Sequence, residues 1–119
     1  MSNKIIIKNK IETFKKKIFI SGDKSISIRW VLFSSLSNGI SKAKNLLLSE
    51  DVLAAIKAVN KLGIKTKFSN NEYKIYGRGI NGFNYKKNIT IDAKNSGTLG
   101  RLILGLLINS PYEIKLIGD

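Results

Sequence analysis

The stretch Ser21-Gly-Asp-Lys-Ser-Ile-Ser-Ile-Arg29 combines a turn, possible capping groups and the start of an apolar periodic run. Apolar residues recur at helical spacing from Ser25 to about Ser37, and Asn38-Gly39 supplies a stop. These features predict a helix that Asp23 or Ser25 caps. An ammonium, hydroxyls and a guanidinium would then surround the start of one helix.

Strand and helix patterns continue on both sides of this helix. Ser49 is placed to cap a second, amphipathic helix, and Gly63 suits the left-handed position that ends it. The third predicted helix, at 97–107, is almost wholly apolar, so we expect it to be buried on most sides. Further helices are predicted at 49–62 and 97–107, and strands at 4–8, 15–20, 43–48, 64–68, 73–76, 88–93 and 112–117. The fold class is therefore α/β (α+β), with helices packed on sheets.

The first polar cluster suits an anion. A helix start presents unpaired backbone N–H groups and a partial positive charge, and Lys24 adds an ammonium there. Ser25 and Arg29 lie four residues apart, so they share one helical face. On another interpretation, Ser25 merely caps the helix while Lys24 and Arg29 are solvated surface charges.

A second polar cluster, Asp92-Ala-Lys-Asn-Ser-Gly-Thr98, precedes Arg101. Gly97 would let a ligand approach the backbone, while Asn95 and Thr98 could form hydrogen bonds with it. An arginine in so apolar a helix needs an anion or access to solvent. The local alternative is that Asp92 pairs with Arg101 and that the cluster is only a turn. Two cationic helix starts in one chain favour a substrate with several acidic groups.

Composition excludes several kinds of site. The 119 residues contain neither cysteine nor histidine, so a Ser-His or Cys-His triad and a thiolate zinc site are impossible. We expect no metal and no cofactor. Apolar runs are shorter than the ~20 residues that span a bilayer, and the first residues lack a signal-peptide pattern. A cytoplasmic location without membrane association is therefore expected.

The formal net charge of +13 raises the alternative of a small basic nucleic-acid-binding module. Arginine supplies only three of the 21 basic residues, so 18 are lysine, and they are spread along the chain. This pattern indicates a general compositional bias, and we expect no nucleic acid as a partner. A missing part of a longer protein could also balance the charge.

The two clusters together resemble the EPSP synthase (3-phosphoshikimate 1-carboxyvinyltransferase) family. The resemblance rests on Gly22–Arg29 and on Asn95-Ser-Gly-Thr98 followed by Arg101. Asn45-Leu-Leu47 and Ser49-Glu-Asp-Val52, at matching spacing between them, extend it. It covers only the family's N-terminal part, so we expect this chain to be truncated.

The resemblance implies a fold of two similar domains, built from repeated βαβαββ units that close on ligands between them. Residues 1–21 would be strands of the other, C-terminal domain. Gly22-Asp23 would lie where the chain crosses between the two domains. Residues 22–119 would form a partial first domain. The missing C-terminal half would be the protein partner of this segment, and the full-length enzyme would be a monomer.

The resemblance also implies a reaction, in which phosphoenolpyruvate donates its enolpyruvyl group to the 5-hydroxyl of shikimate 3-phosphate. The product would serve chorismate and aromatic amino-acid biosynthesis. Lys24 would be catalytic and touch both substrates, Ser25 and Arg29 would bind shikimate 3-phosphate, and Asn95, Gly97 and Thr98 would bind phosphoenolpyruvate. The family's acid–base groups lie in the missing half, so we expect the fragment alone to be inactive.

Three residues depart from the family's usual pattern. Ile28 stands where histidine or asparagine is common, while Lys94 and Gly100 replace a glycine and a larger residue. None of these changes removes a ligand-binding group. The related UDP-N-acetylglucosamine enolpyruvyltransferase is the nearest alternative enzyme, but its first motif usually has asparagine after the lysine. Ser25 and Arg29 therefore argue against that enzyme.

Overall fold

A computed structural model describes residues 3–119 and confirms the mixed α/β class. None of the helices in this described range is long and apolar enough to cross a membrane. The elements in chain order are α1 (Lys24–Leu36), β1 (Asn38–Lys44), α2 (Glu50–Lys61), β2 (Lys65–Ser69), β3 (Glu72–Arg78), β4 (Thr90–Asp92), α3 (Gly97–Leu106) and β5 (Lys115–Ile117).

The strands form two small sheets. In the first, β3 lies between β1 and β2 and is antiparallel to both. Asn70 and Asn71 adopt left-handed φ angles of 52° and 55°, which suit the tight turn between β2 and β3. The strands predicted at 64–68 and 73–76 are thus joined as a hairpin. In the second sheet, β4 and β5 are parallel, as the helix between them requires.

The core lies where α1 and α2 pack against each other and where α1 covers one face of β3. Ile28 and Val31 of α1, Val52 and Val59 of α2, and Ile75 of β3 are all completely buried. This arrangement confirms the apolar stripe predicted for α2. Gly63 ends the helix with φ of 86°, also as predicted.

The predicted strand at 43–48 is wrong in position. The chain enters β1 at Asn38, directly after the helix, and Asn45 ends the strand with φ of 59°. Asn38-Gly39 therefore begins a strand instead of a loop. The strands predicted at 88–93 and 112–117 exist, but they are shorter.

Helix α3 is less buried than its composition predicts. Only Leu99 and Ile103 are buried, whereas Leu104 is 58% exposed. Over the described residues, α3 packs against α1 and α2 along one side only. An apolar sequence predicts that a helix is buried, but burial also requires a second surface that packs against the helix.

The strands predicted at 4–8 and 15–20 are not formed. Residues 3–21 are exposed and form no regular secondary structure, and Ile5 and Phe19 are each 87% exposed. A β-strand needs a neighbouring backbone to complete its hydrogen bonds, and this segment pairs with no other described strand. The assignment of residues 1–21 to another domain stays a prediction, and residues 1 and 2 lie outside the described range.

Candidate anion-binding site

The start of α1 is capped by a carboxylate. Asp23 Oδ1 accepts a hydrogen bond of 2.7 Å from the Ile26 N–H, which satisfies one of the unpaired groups of the first turn. Ser25 lies inside that turn and does not cap the helix, so the purely capping interpretation of this serine is wrong. Its half-buried hydroxyl forms no hydrogen bond to another described residue.

Lys24 is not a free surface charge. Its Nζ lies 3.0 Å from Oδ2 of Asp51, whose side chain is only 16% exposed. The ion pair joins the first residue of α1 to the first turn of α2. No local spacing in the sequence connects Asp51 with Lys24, so Asp51 was not predicted as a site residue. Asp51 is the residue of this site that the sequence missed.

Arg29 is exposed on the same face of α1 as Ser25, one turn further along. Its guanidinium forms no ion pair with a carboxylate between residues 3 and 119. The five N–H donors of the guanidinium are therefore available to a planar or tetrahedral anion.

The backbone before α1 is fixed by the loop that follows β1. A Cβ atom at Gly22 would lie 2.3 Å from the backbone oxygen of Asn45, so only glycine fits. The Asn45 side-chain amide donates to the Ile20 carbonyl at 3.1 Å. Ser27 Oγ accepts from the Leu47 N–H at 3.2 Å. These contacts set the direction in which α1 begins.

The second cluster opens onto a cleft of about 420 Å³ at the start of α3. Ser96 caps the helix, since its Oγ accepts from the Leu99 N–H at 3.2 Å. A Cβ atom at Gly97 would meet only Arg101 Cζ, at 4.0 Å, so packing does not require glycine there. Asn95, Gly97 and Arg101 line the cleft, while Thr98 is half-buried in the first turn.

Asp92 pairs with Lys94 and not with Arg101, so the alternative of an Asp92–Arg101 pair is wrong. Asp92 Oδ1 accepts from the Lys94 N–H at 2.8 Å, and Oδ2 lies 3.0 Å from Lys94 Nζ. The backbone N–H and then the ammonium of Lys94 lower the pKa of Asp92. The hydrogen bond and the charge of Asp92 raise the pKa of Lys94. Arg101 instead reaches solvent.

The start of α2 lies between the two clusters. Asp51 holds Lys24 of the first cluster, while the preceding residue, Glu50, borders a cleft of about 430 Å³ together with Asp92 and Lys94. The structure therefore brings the two clusters to the same helix end, although they are some seventy residues apart in sequence. The arrangement can hold anions beside two helix starts.

Metal binding has no support from the described side chains. Residues 3–119 contain no group of three or more carboxylates placed to hold an ion.

Comparison with known proteins finds one family. A family model described as EPSP synthase (3-phosphoshikimate 1-carboxyvinyltransferase) matches residues 8–119. The 3-phosphoshikimate 1-carboxyvinyltransferase of Bacillus cytotoxicus is 46% identical over 102 residues, which cover 86% of this chain and 24% of the relative. The protein of the same name from Alkaliphilus metalliredigens is 38% identical over 115 residues, covering 97% and 27%.

A solved structure, EPSP synthase from Acinetobacter baumannii, is similar with a TM-score of 0.79 and 32% sequence identity. The match covers 89% of this chain and 24% of that chain. The present chain thus spans about a quarter of the length of the relatives that it matches.

Proposed function

The chain belongs to the EPSP synthase family, and from that premise we propose that it forms part of an enolpyruvyl transferase. The complete enzyme would transfer the enolpyruvyl group of phosphoenolpyruvate to the 5-hydroxyl of shikimate 3-phosphate, releasing phosphate. The observation that carries this proposal is that the first turn of α2 lies beside a cation of each cluster: Asp51 pairs with Lys24, and Glu50 borders the same cleft as Lys94. Both substrates are polyanions, and each helix start suits one of them.

The first cluster would receive shikimate 3-phosphate. Arg29 offers a guanidinium free of any described carboxylate, and the Ser25 hydroxyl lies one turn below it on the same face. Arginine can bind a phosphate through two parallel hydrogen bonds, and the serine can add a third. Lys24, held by Asp51, would lie between this anion and the second substrate.

The second cluster would receive phosphoenolpyruvate. The exposed Gly97 begins α3, so an anion can approach the free N–H groups of its first turn closely. Asn95 would donate a hydrogen bond from the loop before the helix, and Thr98 would do so from the first turn. No bulky side chain covers Gly97, which suits a small and highly charged donor.

Addition of the 5-hydroxyl oxygen to C2 of phosphoenolpyruvate, with loss of the hydroxyl proton and protonation of C3, would give a tetrahedral intermediate; loss of phosphate from C2 and of a proton from C3 would then form the enol ether. Negative charge shifts between substrate oxygens during both steps. Lys24 is the cation proposed to face both substrates, so its ammonium can stabilise these oxygens without moving far. The contribution of this segment is electrostatic preorganisation, and the proton-transfer groups would come from the other part of the enzyme.

The exposed apolar residues of segment 3–20 support the proposed division into domains. Six isoleucines and two phenylalanines in this short stretch have more than half of their surface exposed. We propose that residues 1–21 form strands with the C-terminal half of the enzyme, which supplies the missing backbone partners. The complete enzyme would be a cytoplasmic monomer, and the 119-residue chain alone would be inactive.

A phosphate-release assay tests this function. A complete enzyme that contains this segment should release phosphate from phosphoenolpyruvate only when shikimate 3-phosphate is present, and UDP-N-acetylglucosamine should not replace that acceptor. The 119-residue chain serves as the matched control and should show no turnover. Turnover with UDP-N-acetylglucosamine alone would refute the acceptor, while turnover by the isolated chain would refute the need for the second half.

A further inference from the structure

Lys94 adopts a backbone conformation that its side chain disfavours. Its φ angle is 53°, in the left-handed region, which is unfavourable for a residue with a Cβ atom. Glycine at this position would avoid that strain. A residue that persists in a strained conformation beside a candidate site suggests a role in that site.

The ammonium of Lys94 is not needed to hold the turn. The hydrogen bond that shapes the turn runs from the Lys94 backbone N–H to Asp92 Oδ1. Any residue at position 94 can donate that bond, and glycine would do so without strain. Stability of the turn therefore explains the backbone contact but gives no reason for a lysine.

Lys94 borders both clefts. It lines the cleft along α2 together with Asp92 and Glu50, and it also lines the cleft at the start of α3 with Arg101. Asp92 lines only the α2 cleft, and the Lys94 ammonium is bound to it there. The groups that face this ammonium are the carboxylates of Asp92, Glu50 and Asp119. The lysine side chain is about half exposed, so rotation about its four flexible bonds can carry the ammonium to the other cleft.

We propose that Lys94 is a specificity-determining cation for the phosphate-bearing donor. When the donor occupies the α3 cleft, the Lys94 ammonium leaves Asp92 and contacts the donor's phosphate, opposite Arg101. This role rests on the proposed function, because it assigns phosphoenolpyruvate to that cleft. It adds a cationic contact that a glycine at this position cannot make.

Lys94→Gly and Lys94→Gln test the proposal in a complete enzyme containing the segment. Either variant should raise KM for phosphoenolpyruvate about fivefold, the effect of losing one partly exposed charge pair. We expect kcat and KM for shikimate 3-phosphate to stay the same. Lys94→Gly should also unfold at an equal or higher temperature, because it relieves the positive φ angle. A merely structural lysine would change stability and leave the donor KM unaltered.

Lys57→Gln is the matched control, because Lys57 is exposed, borders only the α2 cleft and carries the same charge. It should leave the donor KM unchanged. An equal rise in this control would overturn the proposal, since the effect would then come from net charge. Unchanged donor KM in both Lys94 variants, with normal wild-type transfer, would overturn the role of Lys94 alone.

Titration with inorganic phosphate separates this inference from the proposed function. If the wild-type enzyme transferred no enolpyruvyl group, the proposed function would fail. Weaker phosphate binding in Lys94→Gln but not in Lys57→Gln would still support a Lys94 contact to an anion. Equal phosphate binding in all three proteins would overturn that contact as well.

Discussion

The starts of α1 and α3 are built in opposite ways. Helix α1 is capped by the carboxylate of Asp23, its first lysine is tied to Asp51, and Gly22 is packed tightly behind it. Helix α3 is capped by the neutral hydroxyl of Ser96, and its first residue, Gly97, is open to solvent. The start of α1 is therefore held by contacts within the chain, whereas the start of α3 is open.

Lys24→Ala should have the largest effect on kcat/KM, because it removes the cation proposed to face both substrates. In a complete enzyme containing this segment, kcat/KM should fall about 100-fold or more, as when one preorganised donor is lost at a reacting oxygen. Steady-state kinetics measures the change. Lys57→Ala, which changes the same charge on the exposed face of α2, should leave kcat/KM within about twofold. A fall of similar size in both variants would contradict a specific role for Lys24.

The two glycines should respond differently to alanine. Gly22→Ala should lower the free energy of unfolding by about 1–3 kcal/mol, because the new methyl group collides with the Asn45 backbone oxygen. Gly97→Ala has no such collision and should change stability by less than about 0.5 kcal/mol. It should instead raise KM for phosphoenolpyruvate. Denaturant unfolding and kinetics together make this test, and a strongly destabilised Gly97→Ala would show that packing requires this glycine.

Asp51→Asn should have an intermediate effect, because it keeps the side-chain shape but removes the charge that holds Lys24. We expect kcat/KM to fall about tenfold, since a free lysine samples more positions around the substrates. Glu50→Gln, at the neighbouring position of the same helix start, is the control for lost negative charge. If both variants reduced kcat/KM equally, the ion pair with Lys24 would not be the cause.

Asp23→Ser should have the smallest effect and would make the start of α1 resemble that of α3. Serine keeps the cap, so the unfolding temperature should hardly change. Removing a negative charge near the helix start should tighten shikimate 3-phosphate binding about twofold. Calorimetric titration can detect that difference, and weaker binding would contradict the assignment of the ligand to this helix start.

Local chemistry made much of the fold predictable. The cap by Asp23, the amphipathic character of α2 and the stop at Gly63 depend on neighbouring residues and lie at their predicted places. Ser49 stands at the predicted cap position of α2, but its side chain forms no capping hydrogen bond. The strands at 4–8 and 15–20 and the burial of α3 depend on surfaces that the sequence pattern does not contain. The burial of α3 and the position of the strand predicted at 43–48 were wrong, and the strands at 4–8 and 15–20 do not form within the described chain.

The candidate site was predictable only in part, for the same reason. Helical spacing places Ser25 and Arg29 on one face without reference to the rest of the fold. The Lys24–Asp51 pair and the approach of Glu50 to Lys94 arise from the packing of α1, α2 and the loop before α3. No periodicity in the chain encodes those contacts, so they required the structure.

Titration of shikimate 3-phosphate into a complete enzyme containing this segment is the most direct test of the central claim, that the start of α1 binds this substrate. Calorimetry should show binding to the wild type and at least about tenfold weaker binding to Arg29→Ala, because a charge-assisted bond to phosphate is lost. Arg78→Ala, at an exposed arginine on β3, should bind like the wild type. Equal affinities in the wild type and Arg29→Ala would contradict the claim.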